Sequence, residues 1–145
     1  MDLPIRKYMK AAIKEALKAK EKGDYAIGAV IVKDNKIISK AGNAVKINQN
    51  PVHHAEFLAI QKAAKRLKNR HLHDCVLYTT HEPCPMCASA AIWAKLKGII
   101  AGTKTQDMTN YIEKNGNDNY SWRTINISSK KCSVDPATQH FFSSS

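Results

Sequence analysis

The sequence predicts an α/β protein: a three-layer α/β/α sandwich built around a five-stranded mixed sheet. Three observations carry that prediction. Short apolar, β-branched runs alternate with stretches whose apolar residues recur at helical spacing, so strands are separated by helices. Two apolar runs, AIGAVIV (26–32) and IISKAG (37–42), flank the polar KDNK, which reads as a hairpin. The 145 residues are enough for one sizeable core and too few for two ordinary ones, so a single domain is expected over 1–145.

The first helix is expected after Pro4, with Ile5, Tyr8, Met9, Ala12, Ile13, Ala16 and Leu17 on one face and lysines on the other. Gly23 is placed to stop it. The hairpin is antiparallel. NAVKINQNP is a polar loop punctuated by Pro51 shortly before a second helix over about 54–68. CVLYTT (75–80) reads as the third strand, PMCASAAIWAKLK as the third helix, and GIIAGT (98–103) as the fourth strand. Residues 105–121 are polar and aromatic and read as a loop or short helix. RTINIS (123–128) is the candidate fifth strand, and the tail ends in HFFSSS. Strands joined through helices imply parallel pairing, with helices on both faces of the sheet.

Composition narrows the class of partner. No stretch approaches the roughly 20 apolar residues that would span a bilayer. The N-terminus, MDLPIRKYMK, lacks an apolar segment followed by a cleavage site, so a cytoplasmic protein is expected. Without a secretion signal, Cys75, Cys84, Cys87 and Cys132 read as metal ligands, redox centres or buried small hydrophobes, not as a disulfide framework. The net charge of +11 favours an anionic partner, nucleic acid above all. Against that, the basic residues are nineteen lysines and only four arginines: Arg6, Arg66, Arg70 and Arg123. Arginine is the residue expected for planar, bidentate recognition, and a lysine surface can be merely solvated.

Two segments carry chemistry. In HEPCPMC (81–87), Cys84 and Cys87 lie three apart at a helix start, which puts both sulfurs on one side of the first turn. Backbone N–H groups and the helix dipole there stabilise thiolates. Taken alone, this Cys-x-x-Cys reads either as a thioredoxin-like dithiol or as half of a zinc site, and no second Cys-x-x-Cys is present. HHAEFLAI (53–60) changes the balance. It too opens a helix that follows the sheet, so His54 can meet the cysteines at one sheet edge, where α/β folds bind ligands. Three protein ligands and one open tetrahedral position form the catalytic zinc pattern, not the structural one.

His54-Ala55-Glu56 and Pro83-Cys84-Pro85-Met86-Cys87 resemble the zinc-dependent nucleobase deaminase family, whose signature is H-x-E followed by P-C-x-x-C. The likeness runs from about residue 26 to about residue 107. It implies zinc on His54, Cys84 and Cys87. Glu56 is then the catalytic acid–base group, shuttling a proton from water to the ring nitrogen and the departing ammonia, and is not itself a ligand. A carboxylate in a first helical turn is otherwise favoured by the dipole alone. His53 reads as lining or surface, Cys75 as core and Cys132 as incidental. His71, His73, His81 and His140 carry no spacing argument.

The small tetrameric cytidine deaminases use cysteine where this chain has His54. LYTTHEPCPMC is more similar to the branch that contains guanine deaminases, tRNA adenosine deaminases and fungal cytosine deaminases. That resemblance implies that Asn43 holds the base by hydrogen bonds, although a loop Asn is commonly a turn former. AAIWAKLKGII, with Trp93, is similar to bacterial guanine deaminases, and Trp93 and Asp107 are candidate substrate contacts, with Asp118 and Tyr120 beside them. The expected substrate order is a free purine base with guanine first, then adenosine in tRNA, then cytosine or another small aminated ring. A zinc-stabilised subunit without activity comes last, because it has no chemical need for Glu56. Members of this branch are commonly dimers, and the AAIWA helix is a candidate interface.

Overall fold

The computed structural model describes residues 6–102 and the backbone of 122–126. The first helix, α1 (Arg6–Glu21), is followed by β1 (Gly28–Lys33), β2 (Lys36–Gly42), α2 (Ala55–Leu67), β3 (Val76–Thr79), α3 (Pro85–Trp93), β4 (Gly98–Gly102) and β5 (Trp122–Asn126). The strands lie in one sheet in the order β2-β1-β3-β4-β5.

The alternation of the pleat builds the layers. On β1, Val30 and Val32 face one side, where they join Tyr8, Met9, Ala12, Ile13 and Ala16 of α1, with Tyr78 and Ile100 from the neighbouring strands. Ala29 and Ile31 face the other side, with Leu77, Ile99 and Ala101, under Ala59 and Ala63 of α2 and Ala88 and Ala91 of α3. The sheet is thus a middle layer with α1 on one face and α2 and α3 on the other.

The hairpin closes through Asp34 and Asn35, both with positive φ (50° and 61°). That is the mirror-image turn whose twist suits antiparallel strands. Gly23, at φ 87°, ends α1 as expected.

The expectation of parallel pairing holds for only one neighbouring pair among the described strands. β3 and β4 are parallel, whereas β1–β2, β1–β3 and β4–β5 are antiparallel. The β2–α2–β3 crossover does return β3 in the direction of β2, but β1 lies between them. A second difference concerns α3, expected to reach Lys97. It stops at Trp93 because Lys95 turns into the left-handed region (φ 61°). That turn buries Leu96 in the core and lets Lys97 N donate to Cys75 O at 2.8 Å.

The exposed edge of β2 is covered by basic side chains of α2. Lys62 Nζ donates to Lys40 O (3.0 Å) and Arg66 Nη1 to Ile38 O (2.8 Å), which satisfies carbonyls that would otherwise invite another strand. Among the described residues, no helix is long and apolar enough to cross a membrane.

Candidate metal centre

Because β2 and β3 run in the same direction, the helices that follow them begin at the same edge of the sheet. His54 is the N-cap residue of α2 and Cys84 the N-cap residue of α3. Each has extended backbone, and Pro85 pre-sets the first turn of α3. The His54 side chain makes no capping bond, which leaves its ring free to turn toward α3. Cys84 Sγ accepts from Cys87 N at 3.4 Å.

The ligand atoms of His54, Cys84 and Cys87 lie within 4.8 Å of one another, the one such group of three or more metal-ligating residues among those described. Cys84 Sγ and His54 Nδ1 are 3.5 Å apart. Tetrahedral zinc, with Zn–N near 2.0–2.1 Å and Zn–S near 2.3 Å, separates an imidazole nitrogen from a thiolate by about 3.6 Å. The residues therefore fit zinc in donor type, number and spacing, and zinc is the cofactor of this centre.

Electrostatics agree with the geometry. The Cys84 thiol is pushed down to about 5, chiefly by the hydrogen bond from Cys87; burial opposes this, and the Cys87 N–H, His54 and the Met86 N–H support it. The Cys87 thiol is pushed up by the same bond and by burial, with the negative charges of Glu56 and Cys84 adding to it. A divalent cation seated among them removes that conflict by favouring both thiolates.

Glu56 sits in the first turn of α2, 3% exposed, and its Oε1 has no hydrogen-bond partner. Burial pushes its carboxyl up to about 8; its own backbone N–H works against this and the Cys84 charge adds to it. A buried carboxyl with an unpartnered oxygen, two residues from a metal ligand, suits a proton carrier better than a structural group.

Asn43 follows β2 directly and is buried. Its main-chain N donates to Ile27 O (2.9 Å), and Ala44 N donates to His53 O (3.0 Å), which ties this loop to the residue before the zinc ligand. His53 Nδ1 meets Asn48 Nδ2 at 2.9 Å, an exposed contact that holds the loop. Cys75 is fully buried in the core, as expected.

Trp93, the other candidate contact, sits at the C-terminal end of α3. It is 68% exposed and about 13 Å of helix from Cys84. Asp107, Asp118, Tyr120 and Cys132 lie outside the described residues.

Sequence reasoning missed two buried groups at this edge. His81 carries its Nδ1 2.8 Å from Thr80 Oγ1, and Thr80 Oγ1 accepts from Gly28 N at 3.1 Å. Burial pushes the imidazole down to about 4. Asp24 is 6% exposed and accepts four hydrogen bonds. Burial alone would raise its carboxyl, but the bonds from Ile47 N, the Asn43 side chain, Tyr25 N and Lys46 N outweigh it and hold it below the usual range. An acid directly after the helix-stopping Gly23 and before a buried strand was the available signal.

Residues 4–103 match the model of the cytidine and deoxycytidylate deaminase zinc-binding region. The tRNA-specific adenosine deaminase of Aquifex aeolicus is 45% identical over 93 residues, 64% of this chain and 62% of that protein. The guanine deaminase of Bacillus subtilis is 48% identical over 80 residues, 55% of this chain and 51% of that protein. This chain thus spans about three-fifths and about half the length of these two relatives. A solved structure from studies of A-to-I editing by tRNA:A34 deaminases superposes with a TM-score of 0.67 at 34% identity, covering 69% of this chain and 72% of that one. With the ligand set in place and the match running from α1 through β4, the chain belongs to the cytidine and deoxycytidylate deaminase zinc-binding family.

Proposed function

We propose that this zinc-dependent deaminase acts on adenosine in tRNA, converting it to inosine, with guanine as the second reading. This reverses the order expected from the sequence, in which guanine came first. The observation that carries it is the extent of the likeness: the match to the tRNA-specific adenosine deaminase runs over more of the chain than the match to the guanine deaminase. The cleft beside Asn43 supports it: Lys18, Lys22 and Lys62 rim it against one carboxylate, Glu15, which pairs with Lys18 at 3.2 Å, so the rim is net basic and favours a polyanion. The guanine reading keeps its own support, the higher identity over the shorter match.

In this proposal the single domain expected over 1–145 binds one zinc on His54 Nδ1, Cys84 Sγ and Cys87 Sγ. Zinc bound there supplies a water activated at neutral pH. Glu56 takes one proton from the attacking water and gives it to the ring nitrogen, then takes the second proton from the oxygen now bonded to the ring and gives it to the departing amine. The C–O bond forms first, with the ring C=N electron pair moving onto the nitrogen that takes the proton; the C–N bond to the exocyclic amine then breaks as the C=O forms, and ammonia leaves. A carboxyl raised toward neutrality can both accept and return that proton. Asn43 holds the base. A homodimer is part of this proposal, carried over from the branch the chain resembles, with the AAIWA segment of α3 and the exposed Trp93 as its candidate interface.

The test is turnover of an adenosine-containing anticodon stem-loop and of free guanine, each at low and moderate salt. Inosine formation that falls steeply with salt supports tRNA, because phosphate contacts release counterions. Ammonia released from guanine with a flat salt response, and no inosine, would overturn it in favour of the second reading.

A further inference from the structure

Both oxygens of the Asp24 carboxylate are committed. Oδ1 accepts from Asn43 Nδ2 at 2.7 Å and from Tyr25 N at 2.8 Å. Oδ2 accepts from Lys46 N and Ile47 N, each at 2.9 Å. Asp24 itself is tied to the end of α1, where its N donates to Ala19 O at 2.9 Å. One buried anion therefore joins three pieces of chain: the α1–β1 loop, the residue after β2, and the 44–50 turn that leads to His54.

The chemistry of this contact fixes the orientation of Asn43. An ionised carboxylate can only accept, so the Asn43 atom facing it must be the NH₂ group. The acceptor oxygen, Oδ1, is then turned away from Asp24, toward the remainder of the loop edge. We propose that Asp24 is a positioning residue for the substrate, setting which end of the Asn43 amide meets the base. The proposal rests on the reading of Asn43 as the base-holding residue.

The substitution Asp24→Asn exposes the consequence. The amide introduced at position 24 would keep one acceptor oxygen, which the two fixed backbone donors Lys46 N and Ile47 N hold against the single one on the other side, Tyr25 N, whose bond is given up. Its NH₂ would then face Asn43, and the Asn43 amide would flip to present Oδ1 to residue 24 and its donors to the substrate. The polarity offered to the base is reversed while the shape is kept.

The experiment compares Asp24→Asn, Asp24→Glu, Asn43→Ala and the Asp24→Asn/Asn43→Ala double variant as zinc-loaded full chains. Zinc content, melting, and kcat and KM are measured on the anticodon stem-loop and on guanine. We expect Asp24→Asn to keep zinc and a cooperative melt, and to lose about ten- to hundredfold in kcat/KM, mostly through KM, as fits a hydrogen bond to a charged group. Asp24→Glu should recover most of the loss. The double variant should be no worse than Asn43→Ala, because Asp24 acts through Asn43. Losses that multiply in the double variant, native KM in Asp24→Asn, or loss of zinc would overturn the proposal.

A readout independent of turnover separates this inference from the proposed function. In the native chain the Asn43 side-chain amide protons should be protected from exchange, and Asp24→Asn should abolish that protection. If neither substrate is turned over, the proposed function fails while the amide signals still decide the role of Asp24. Unchanged Asn43 amide protection would refute it on its own.

Discussion

Gly28→Ala tests how α1 is held against the sheet, and through it how the Asn43 edge is built. Gly28 and Gly42 face each other across the β1–β2 pair. A Cβ on Gly28 would stand 2.0 Å from Ala12 O and 2.5 Å from Ala16 N, and one on Gly42 would stand 2.8 Å from Glu15 O. Both obstacles at Gly28 are backbone atoms of a helix, so no rotamer change relieves them. To restore an ordinary 3.4 Å contact, α1 must retreat by about 1.4 Å at Ala12. A radial gap of 0.5–1 Å already forfeits about a quarter to a half of a dispersion contact, and Tyr8, Met9, Ala12, Ile13 and Ala16 all make theirs across this gap.

Overpacking ordinarily costs about 1–3 kcal/mol, and a backbone obstacle puts this case at about 3 kcal/mol or beyond. The unfolded-state gain from replacing glycine, about 0.4–1 kcal/mol, offsets little of it. Function should fall as well, because the Asp24 N–Ala19 O bond carries any displacement of α1 to the carboxylate that holds Asn43. Urea unfolding of the zinc-loaded protein measures the loss. Adding Ala12→Gly should restore nothing, since the obstacle is a carbonyl oxygen. A Gly28→Ala variant that loses less than about 1 kcal/mol and keeps native turnover would refute the reasoning.

Cys87→Ser should lose most of the one zinc expected per chain, as read by metal analysis; retained metal, with a Cys84–Cys87 disulfide cycling instead, would return the site to redox chemistry. Glu56→Gln should keep zinc and fold while turnover falls by at least the roughly 10²–10⁴ that positioned acid–base groups contribute, and near-native deamination would remove Glu56 from its role. His81 is held neutral by burial, its imidazole lowered from 6.5 to about 4, so the unfolded chain takes up the proton first on acidification. Stability tied to His81 is therefore whole above pH 6.5 and lost as pH falls toward 4, at most about 3 kcal/mol. His81→Gln should flatten that part of a pH series of unfolding curves relative to the native chain, and equal slopes would show that His81 is not the group responsible. Light scattering should find a dimer at micromolar concentration, and Trp93→Glu should shift it toward monomer.

The candidate metal ligands and the candidate proton carrier were legible because their signals are local. His54-x-Glu56 and Cys84-x-x-Cys87 each fit within one helical turn, and helix periodicity fixes which side chains share a face whatever the rest of the chain does. The layers were legible for the same reason: alternation along AIGAVIV assigns Val30 and Val32 to one side and Ala29 and Ile31 to the other. What tertiary structure decided is non-local. β3 pairs with β1, not β2, because the register and neighbour of a strand depend on contacts far apart in sequence. α3 ends at Trp93, short of Lys97, because Leu96 is needed in the core and Lys97 N meets Cys75 O. Asp24 carries no motif, and its importance comes from three separate stretches of chain arriving at one carboxylate. The sequence by itself determined which atoms could bind metal and move a proton; only the fold determined which end of the Asn43 amide faces Asp24 and what holds it there, since hydrogen bonds between distant segments leave no period in the chain.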